Sequence, residues 1–424
     1  MQLFKKTAFS KNVIVLMTGT IIAQAIPLAI SPLLTRLFTP ADFGLFALYF
    51  SISQIIVVFI TGRYESAIIL PEKDEDAVNV LALCLIITMA VSICCLLVIF
   101  IIKSFFQTFI ENKDILKYLY LLPVTVFSIG IYNTFNLWLN RKQHFNNISG
   151  GKIIRSVFSS GFSAGFGFSV LKAGGLIIAD TIGQLIAGAY VFLKSMKYGR
   201  EKIGSISKQG IVRQAKRYSQ FPKFNVISGL FEKGAGQVPV ILLTSFFGAS
   251  VTGLFSLSQR IIAAPGSLIG VSVGDVFRQH ASIEYKEFGN CHSTFLNLFK
   301  ILLLIAIIPF TILLFTAPFL FSFIFGSEWR IAGEYAQIMT IMFFLSFVVS
   351  PLSNMFIIAE KQKIDLIIQI FLFSLVTISF IVGYNFFNHP KVAILLYSIT
   401  YSVKYCIEFY LSLKFSKGRS AGSR

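Results

Sequence analysis

The chain has 424 residues, of which 55% are hydrophobic and 13% are charged, and its mean hydropathy is +0.76. This composition excludes an ordinary soluble protein and indicates an integral membrane protein. The net charge of +18 does not indicate a nucleic-acid partner, because the Lys and Arg residues lie between apolar segments rather than on one polar face. The five cysteines lie mostly inside apolar segments without paired spacing, so neither disulfides nor a metal site is expected.

Apolar runs of about 20 residues predict an all-α protein with twelve transmembrane helices. In chain order these spans are 13–35, 43–60, 78–102, 116–139, 153–171, 174–193, 222–246, 251–273, 295–316, 333–358, 364–387 and 391–413. The basic N-terminal segment lacks a small-residue cleavage site, which favours a retained first helix. The longest polar interval, roughly 194–223, is too short for a separate domain and is predicted to be a loop.

Basic residues are distributed unevenly between the loops that alternate along the chain. If the N-terminus is cytoplasmic, 26 of the 37 Lys and Arg residues fall in cytoplasmic segments, 7 in external loops and 4 within helices. Cytoplasmic loops of membrane proteins carry an excess of Lys and Arg. The distribution therefore predicts that both termini are cytoplasmic.

Two stretches of the chain share landmarks in the same order. Residues 24–27 (QAIP), 44–46 (GLF) and 53–56 (SQII) correspond to 237–239 (QVP), 253–255 (GLF) and 258–262 (SQRII). Both stretches begin at a predicted cytoplasmic helix end, so we predict a parallel repeat of two six-helix lobes around a central cavity. The lobes would comprise residues 1–200 and 201–424. Chance similarity between segments of biased composition is the alternative.

Three charged residues, Glu232, Lys233 and Arg260, lie near the middle of predicted helices seven and eight. A charge at the bilayer centre costs about 3 kcal/mol unless it faces protein or water, so such residues are functional candidates. Lys233 and Arg260 would lie at similar depth and could line one basic cavity for an anionic group such as phosphate. Alternatively each makes a local ion pair, and Glu232 pairs with a neighbouring helix.

Three further charges lie inside other predicted spans. Asp180, in helix six, could carry a coupling proton or cation, although the sequence shows no partner for it. Lys404 and Glu408 are four residues apart on one helical face, which favours a structural ion pair.

Charged residues also lie at the ends of the first two predicted helices. Arg63 and Glu65, at the cytoplasmic end of helix two, could gate a cavity or bind a pyrophosphate. The alternative is an interfacial anchor and helix stop. Arg36, at the external end of helix one, could form part of a gate or contact lipid headgroups.

The first 80 residues contain the motifs that carry a family resemblance. These motifs are 18–19 (TG), 23–24 (AQ), 31–44 (SPLLTRLFTPADFG) and 62–71 (GRYESAIILP). They resemble the polysaccharide-transporter branch of the multidrug/oligosaccharidyl-lipid/polysaccharide (MOP) flippase superfamily, and in particular the Wzx-type O-antigen flippases. The rest of the chain agrees with that family in length, predicted spans and repeat.

The resemblance implies a flippase in the bacterial inner membrane. It would move an undecaprenyl-pyrophosphate-linked oligosaccharide, the repeat unit of O-antigen or a related surface polysaccharide, by alternating access. Helices one, two, seven and eight would line the cavity. The expected substrate-binding residues are then Lys233, Arg260, Arg63, Arg36, Gln24 and Gln237. The candidates for coupling or gating are Asp180, Glu65 and Glu232.

The implied partners are the lipid-linked oligosaccharide and membrane lipid, while a polysaccharide polymerase and a chain-length regulator stay open as protein partners. No nucleic acid and no cofactor are expected. Two other functions also stay open, a cation-coupled small-molecule or multidrug exporter on the same fold and a non-catalytic scaffold of a polysaccharide assembly complex. No residue pattern indicates catalysis, and the predicted external loops, about 16 residues or shorter, are too short for the catalytic loop of a membrane glycosyltransferase.

Overall fold

The computed structural model describes residues 8–109, 117–199 and 204–418, and the chain is helical with no β-strand within these ranges. Ten of the described helices are long and apolar enough to cross a membrane. Large apolar side chains such as Phe100 and Phe315 are 74% exposed, which suits helix surfaces that face hydrocarbon. The predicted all-α integral membrane fold is confirmed.

The chain forms two compact units, Met1–Gln237 and Val238–Arg424. Unit 1 contains α1 (Ala8–Leu37), α2 (Pro40–Val57), α3 (Asp74–Phe109), α4 (Leu122–Arg141), α5 (Phe145–Phe166), α6 (Ala173–Gly199), α7 (Lys208–Arg217) and the first half of α8 (Val226–Phe247). Unit 2 contains the rest of α8, α9 (Ala249–Pro265), α10 (Val271–Phe288), α11 (His292–Phe325), α12 (Arg330–Val349), α13 (Met355–Ile358), α14 (Gln362–Asn385) and α15 (Pro390–Ser416). The predicted six-helix lobes, divided after residue 200, remain a prediction.

Helices α5 and α9 lie where the sequence predicts spans five and eight, but they are not among the ten apolar candidates. Helix α5 is rich in polar residues along its first turns, and α9 has only 17 residues. A π-helical turn, Gly266–Gly270, joins α9 directly to α10 and lengthens the helical path. The number of twelve spans therefore remains a prediction.

The motif at residues 39–42 (TPAD) starts helix α2. Thr39 and Asp42 form a reciprocal capping box in which each side chain accepts from the other residue's backbone N–H, and Pro40 occupies the first helical position. The second carboxylate oxygen of Asp42 accepts from the backbone N–H of Ala173, 2.9 Å away, at the start of α6. Asp42 therefore fixes the beginnings of two membrane helices.

The polar interval between α6 and α8 contains helix α7, so the prediction that this interval is a loop was wrong there. Ser207 caps the helix by accepting from the N–H of Gly210. Asp76, at the start of α3, accepts from Arg213 and Gln214 of α7, both at 2.6 Å. These two bonds join α7 to the start of α3, which lies more than 130 residues earlier in the chain. Helix α7 is therefore packed within unit 1.

Polar contacts also occur inside unit 2. Gln259 of α9 donates to the hydroxyl of Tyr397 on α15 over 2.9 Å. On α15, Lys404 and Glu408 form an ion pair of 2.9 Å, in which Glu408 is almost fully buried. The structural ion pair predicted from their spacing of four residues is confirmed.

Candidate functional site

Arg63 lies in a turn after α2 that directs its side chain towards α8. Gly62 and Arg63 have φ values of 60° and 62°, a region that residues other than glycine rarely adopt. The turn leads into a short 3₁₀ helix, Tyr64–Ala67, whose Tyr64, Glu65 and Ala67 are buried. This buried helix holds the strained conformation of Arg63.

The guanidinium of Arg63 packs against Gly229 of α8. A Cβ atom built on Gly229 would lie 3.0 Å from Arg63 Cζ and 3.2 Å from Nε, and nearer still to Nη2. Ordinary carbon contacts are about 3.5–4.0 Å, so this approach requires glycine at position 229. Arg63 Nε is buried without a hydrogen-bond partner in the described ranges, and no carboxylate there pairs with the guanidinium.

Lys233 and Gln237 follow Gly229 at intervals of one helical turn, so the three residues share one side of α8. Lys233 is exposed and makes no ion pair or hydrogen bond with any described residue. Gln237 Oε1 accepts from Ser51 Oγ of α2 over 2.8 Å. We call Arg63, Gly229, Lys233 and Gln237 the α8 face, a group that combines two cations without acidic partners.

Glu65 lies close to Arg63 in sequence but takes part in a different contact. Its buried carboxylate accepts from the hydroxyl of Thr61. The neighbouring Tyr64 donates to the carbonyl of Ala215 on α7 over 3.0 Å. Burial raises the pKa of Tyr64 above its ordinary value, and nearby Cys84 adds to the shift. A gating role for Glu65 stays a proposal.

Two further charges of the predicted cavity, Glu232 and Arg260, do not belong to the α8 face as defined above. Glu232 is exposed and unpaired within the described chain, and it points about 100° away from Lys233 around the helix. Arg260, on α9, is half-buried and has no acidic partner among the described residues. It belongs to unit 2, so a cavity shared by Lys233 and Arg260 stays a proposal.

Helix α1 carries two of the predicted binding residues. Arg36, in its last turn, is exposed and forms no ion pair within the described part of the chain. Gln24, near the middle of the helix, is half-buried, and its Oε1 is buried without a hydrogen-bond partner among described residues. An unsatisfied amide oxygen in a membrane helix favours contact with a ligand or water.

Asp180 has a partner that the sequence did not reveal. Its carboxylate lies 3.8 Å from Nη2 of Arg155 on α5. The adjacent Thr181 belongs to a chain of hydroxyl groups, in which its Oγ1 lies 2.8 Å from Thr125, and Thr125 lies 2.7 Å from the hydroxyl of Tyr49. Because Asp180 is buried, its negative charge depends on the nearby guanidinium of Arg155 for stabilisation.

Three residues that matter for this geometry were missed in the sequence, namely Gly229, Ser51 and Arg155. The spacing of four between Gly229, Lys233 and Gln237 is visible in the sequence and could have identified the first. Contacts between separate helices, such as those of Ser51 and Arg155, leave no comparable pattern.

A profile of the family described as polysaccharide biosynthesis protein matches residues 33–334. The chain belongs to this family. One relative, the teichuronic acid biosynthesis protein TuaB of Bacillus subtilis (strain 168), is 22% identical over 260 residues, which are 61% of this chain and 52% of that protein. The match thus spans about half the length of that relative.

Solved transporter structures share the fold of this polysaccharide biosynthesis family member. An inward-facing multidrug resistance MATE family transporter of the MOP superfamily matches with a TM-score of 0.75 and 14% identity, over 95% of this chain and 98% of the other. A MOP superfamily transporter from Pyrococcus furiosus Vc1 (DSM3638), reported to have a binding pocket of reverse polarity, matches with a TM-score of 0.58 and 15% identity over 96% of both chains. The predicted resemblance to the polysaccharide branch of the MOP superfamily is confirmed.

Proposed function

We propose that the protein is a flippase for an undecaprenyl-pyrophosphate-linked oligosaccharide, which it moves across the inner membrane by alternating access. The observation that carries this proposal is the α8 face, where Arg63 and Lys233 carry positive charge without acidic partners in the described chain. The polysaccharide biosynthesis family supplies the context in which an anionic, sugar-bearing lipid is the substrate.

The physical argument concerns the cost of these charges. An unpaired cation in a membrane helix, such as Lys233, is expensive and is retained where it meets water or an anionic ligand. Arg63 lies outside a spanning helix, but its buried Nε without a partner likewise favours a ligand. A guanidinium can bind two phosphate oxygens at once, and an ammonium group acts as a point charge beside it. Arg63 and Lys233 together suit a diphosphate, and the prenyl chain would remain in the lipid.

The remaining predicted residues have secondary roles in the proposal. Arg260, Arg36 and Gln24 would bind other parts of the headgroup, while Asp180, Glu65 and Glu232 would couple or gate the cycle. Pro239 interrupts the backbone hydrogen bonding of α8 beyond the α8 face and permits bending there. We expect both termini to be cytoplasmic.

A cation-coupled exporter on the same fold is the alternative function. The fold that the chain shares with a solved MATE transporter is compatible with this function. The Pyrococcus furiosus protein, with its binding pocket of reverse polarity, indicates that pocket polarity differs within the superfamily. For a cationic substrate we would expect unpaired carboxylates in place of Lys233 and Arg63. The basic α8 face therefore favours an anionic substrate. If the protein were a non-catalytic scaffold, replacing Arg63 or Lys233 would leave the surface polysaccharide unchanged.

The test is genetic complementation in a strain that lacks the gene. We expect Lys233→Ala and Arg63→Ala to abolish surface polysaccharide and to leave lipid-linked oligosaccharide on the cytoplasmic side, while Lys233→Arg retains part of the activity. Lys223→Ala, which removes an exposed lysine just before α8, is the matched control. Membrane levels are compared by immunoblot with a tagged chain.

Normal surface polysaccharide with Lys233→Ala and Arg63→Ala at native expression would refute the roles of these residues. If the same variants keep normal surface polysaccharide but lose the export of a cationic drug, the exporter function is favoured.

A further inference from the structure

A cavity of about 410 Å³ with both polar and apolar walls is lined by residues of unit 2. One wall follows the π-helical turn and the start of α10, and the other follows the end of α12 and the turn after it. The first wall has glycine at every fourth position, Gly266, Gly270 and Gly274. The second has polar residues at the same interval, Ser346, Ser350 and Asn354, with Phe343 and Phe347 beside them.

The serine hydroxyls of this cavity are free. Hydroxyl groups in membrane helices commonly bond to the carbonyl one turn earlier, as Thr340 of α12 does to Ala336 over 2.8 Å. In the described chain, the hydroxyls of Ser346 and Ser350 make neither this bond nor any other. A hydroxyl that faces a cavity instead of its own helix is available to a ligand.

The cavity is open because two glycines of its first wall have no side chain to fill it. A Cβ atom on Gly266 would meet no atom within 4 Å, and one on Gly270 would meet only Pro351, at 3.8 Å. The two walls are tied together at one end, where Asn354 Nδ2 donates to the carbonyl of Gly274 over 3.3 Å. Single π-helical turns of this kind occur frequently at functional sites.

The size and chemistry of the cavity indicate its ligand. The volume of about 410 Å³ falls within the roughly 300–1,000 Å³ typical of small-molecule sites, so a monosaccharide can enter the cavity. The lining residues include no Lys or Arg that could bind a phosphate, and the carboxylate of Asp275 pairs with Arg278 over 3.3 Å. A lipid chain would leave the hydroxyls of Ser346 and Ser350 unsatisfied.

We propose that this cavity binds one uncharged or N-acetylated sugar residue. Ser346, Ser350 and the free Oδ1 of Asn354 would bond to its hydroxyl or amide groups, and Phe343 would pack against its apolar face. The inference rests on the proposed function, to which it adds a site for the sugar part of the substrate. The α8 face would bind the diphosphate part.

The test uses the purified full-length protein in detergent. The probes are the neutral and N-acetylated monosaccharides found in the surface polysaccharide of the same strain. Ala263→Cys, at a cavity position with no proposed ligand role, is labelled with a maleimide, and peptide mass spectrometry distinguishes this label from those on the five native cysteines. We expect at least one of these sugars to slow labelling at position 263, while glycerol has no effect.

Cavity variants test which groups are responsible, with Ala263→Cys as the parent. Ser346→Val should weaken the protection by about 5–30-fold, as expected for the loss of a ligand hydrogen bond. Gly270→Leu should abolish it by filling the cavity. Gly161→Leu, at an exposed glycine of α5 with no atom within 4 Å of its Cβ, should leave it unchanged.

Two results would overturn the proposal. The first is the absence of protection by every sugar of the panel, and the second is full protection in Gly270→Leu. Complementation separates this failure from that of the proposed function. If the labelled cysteine variant restores surface polysaccharide but shows no sugar protection, the flippase function stands and the cavity site is wrong. If the wild-type chain restores nothing, the flippase function itself is wrong.

Discussion

Replacing Gly229 with alanine should reduce transport without destabilising the protein. The new methyl group would lie 3.0 Å from Arg63 Cζ and nearer still to Nη2, so the guanidinium must withdraw by more than about 1 Å before every atom reaches an ordinary contact. A shift of about 1 Å in a binding group can cost up to 100-fold in rate, and we expect a loss of about tenfold or more.

The free energy of unfolding of Gly229→Ala should rise, although its transport rate should fall. Alanine is favoured over glycine inside a helix by up to about 1 kcal/mol, and the group that it displaces is the end of a flexible side chain. Gly236→Ala provides the matched control, since Gly236 lies on the same helix, is exposed and has no atom within 4 Å of an added Cβ. It should gain the same helix stability and keep full transport.

The assay combines two measurements on each variant. The rate at which lipid-linked oligosaccharide reaches the outer leaflet is measured in membrane vesicles, and the unfolding midpoint is measured in detergent. If Gly229→Ala transports as fast as Gly236→Ala, the position of Arg63 does not matter for translocation. A lower unfolding midpoint for Gly229→Ala alone would show that the guanidinium cannot move aside, and the reasoning would fail there.

The remaining predictions concern contacts that position the site. Ser51→Ala and Gln237→Leu should show a coupling energy of about 1 kcal/mol in a double-mutant cycle of unfolding, and additive effects would exclude the bond between them. Arg155→Ala should destabilise the protein by about 1–3 kcal/mol because it leaves Asp180 buried without its cation, and Asp180→Asn in the same chain should recover part of that loss. Asp76→Ala should raise hydrogen–deuterium exchange across α7 by about tenfold, with unchanged exchange in α7 as the contrary result.

Long apolar runs were sufficient to predict most of the fold, because the bilayer requires each span to satisfy its own backbone. The pair Lys404 and Glu408 was also predictable, since both residues lie on one helix at a fixed interval. Helix α7 was missed because it is short and polar, and Asp76, which holds it, lies over 130 residues earlier.

The candidate site was less predictable than the spans. Lys233 was identified from the cost of placing charge in a membrane, which is a property of a single residue, and Arg63 from its position at a helix end and the family resemblance. Their relation through Gly229 depends on the left-handed turn at Arg63, and nothing in the local sequence specifies where that side chain points. The ion pair of Asp180 likewise depends on how α5 and α6 pack.

The attachment of α7 to the start of α3 also has a practical consequence for labelling the protein. The polar interval between α6 and α8 looks like a natural place for a fluorescent protein or an epitope, since long surface loops generally accept insertions. An insertion within α7 would separate Arg213 and Gln214 from Asp76 and disturb the turn that enters α8. The exposed segment after Asn385, between α14 and α15, avoids these contacts and is the better position for a reporter.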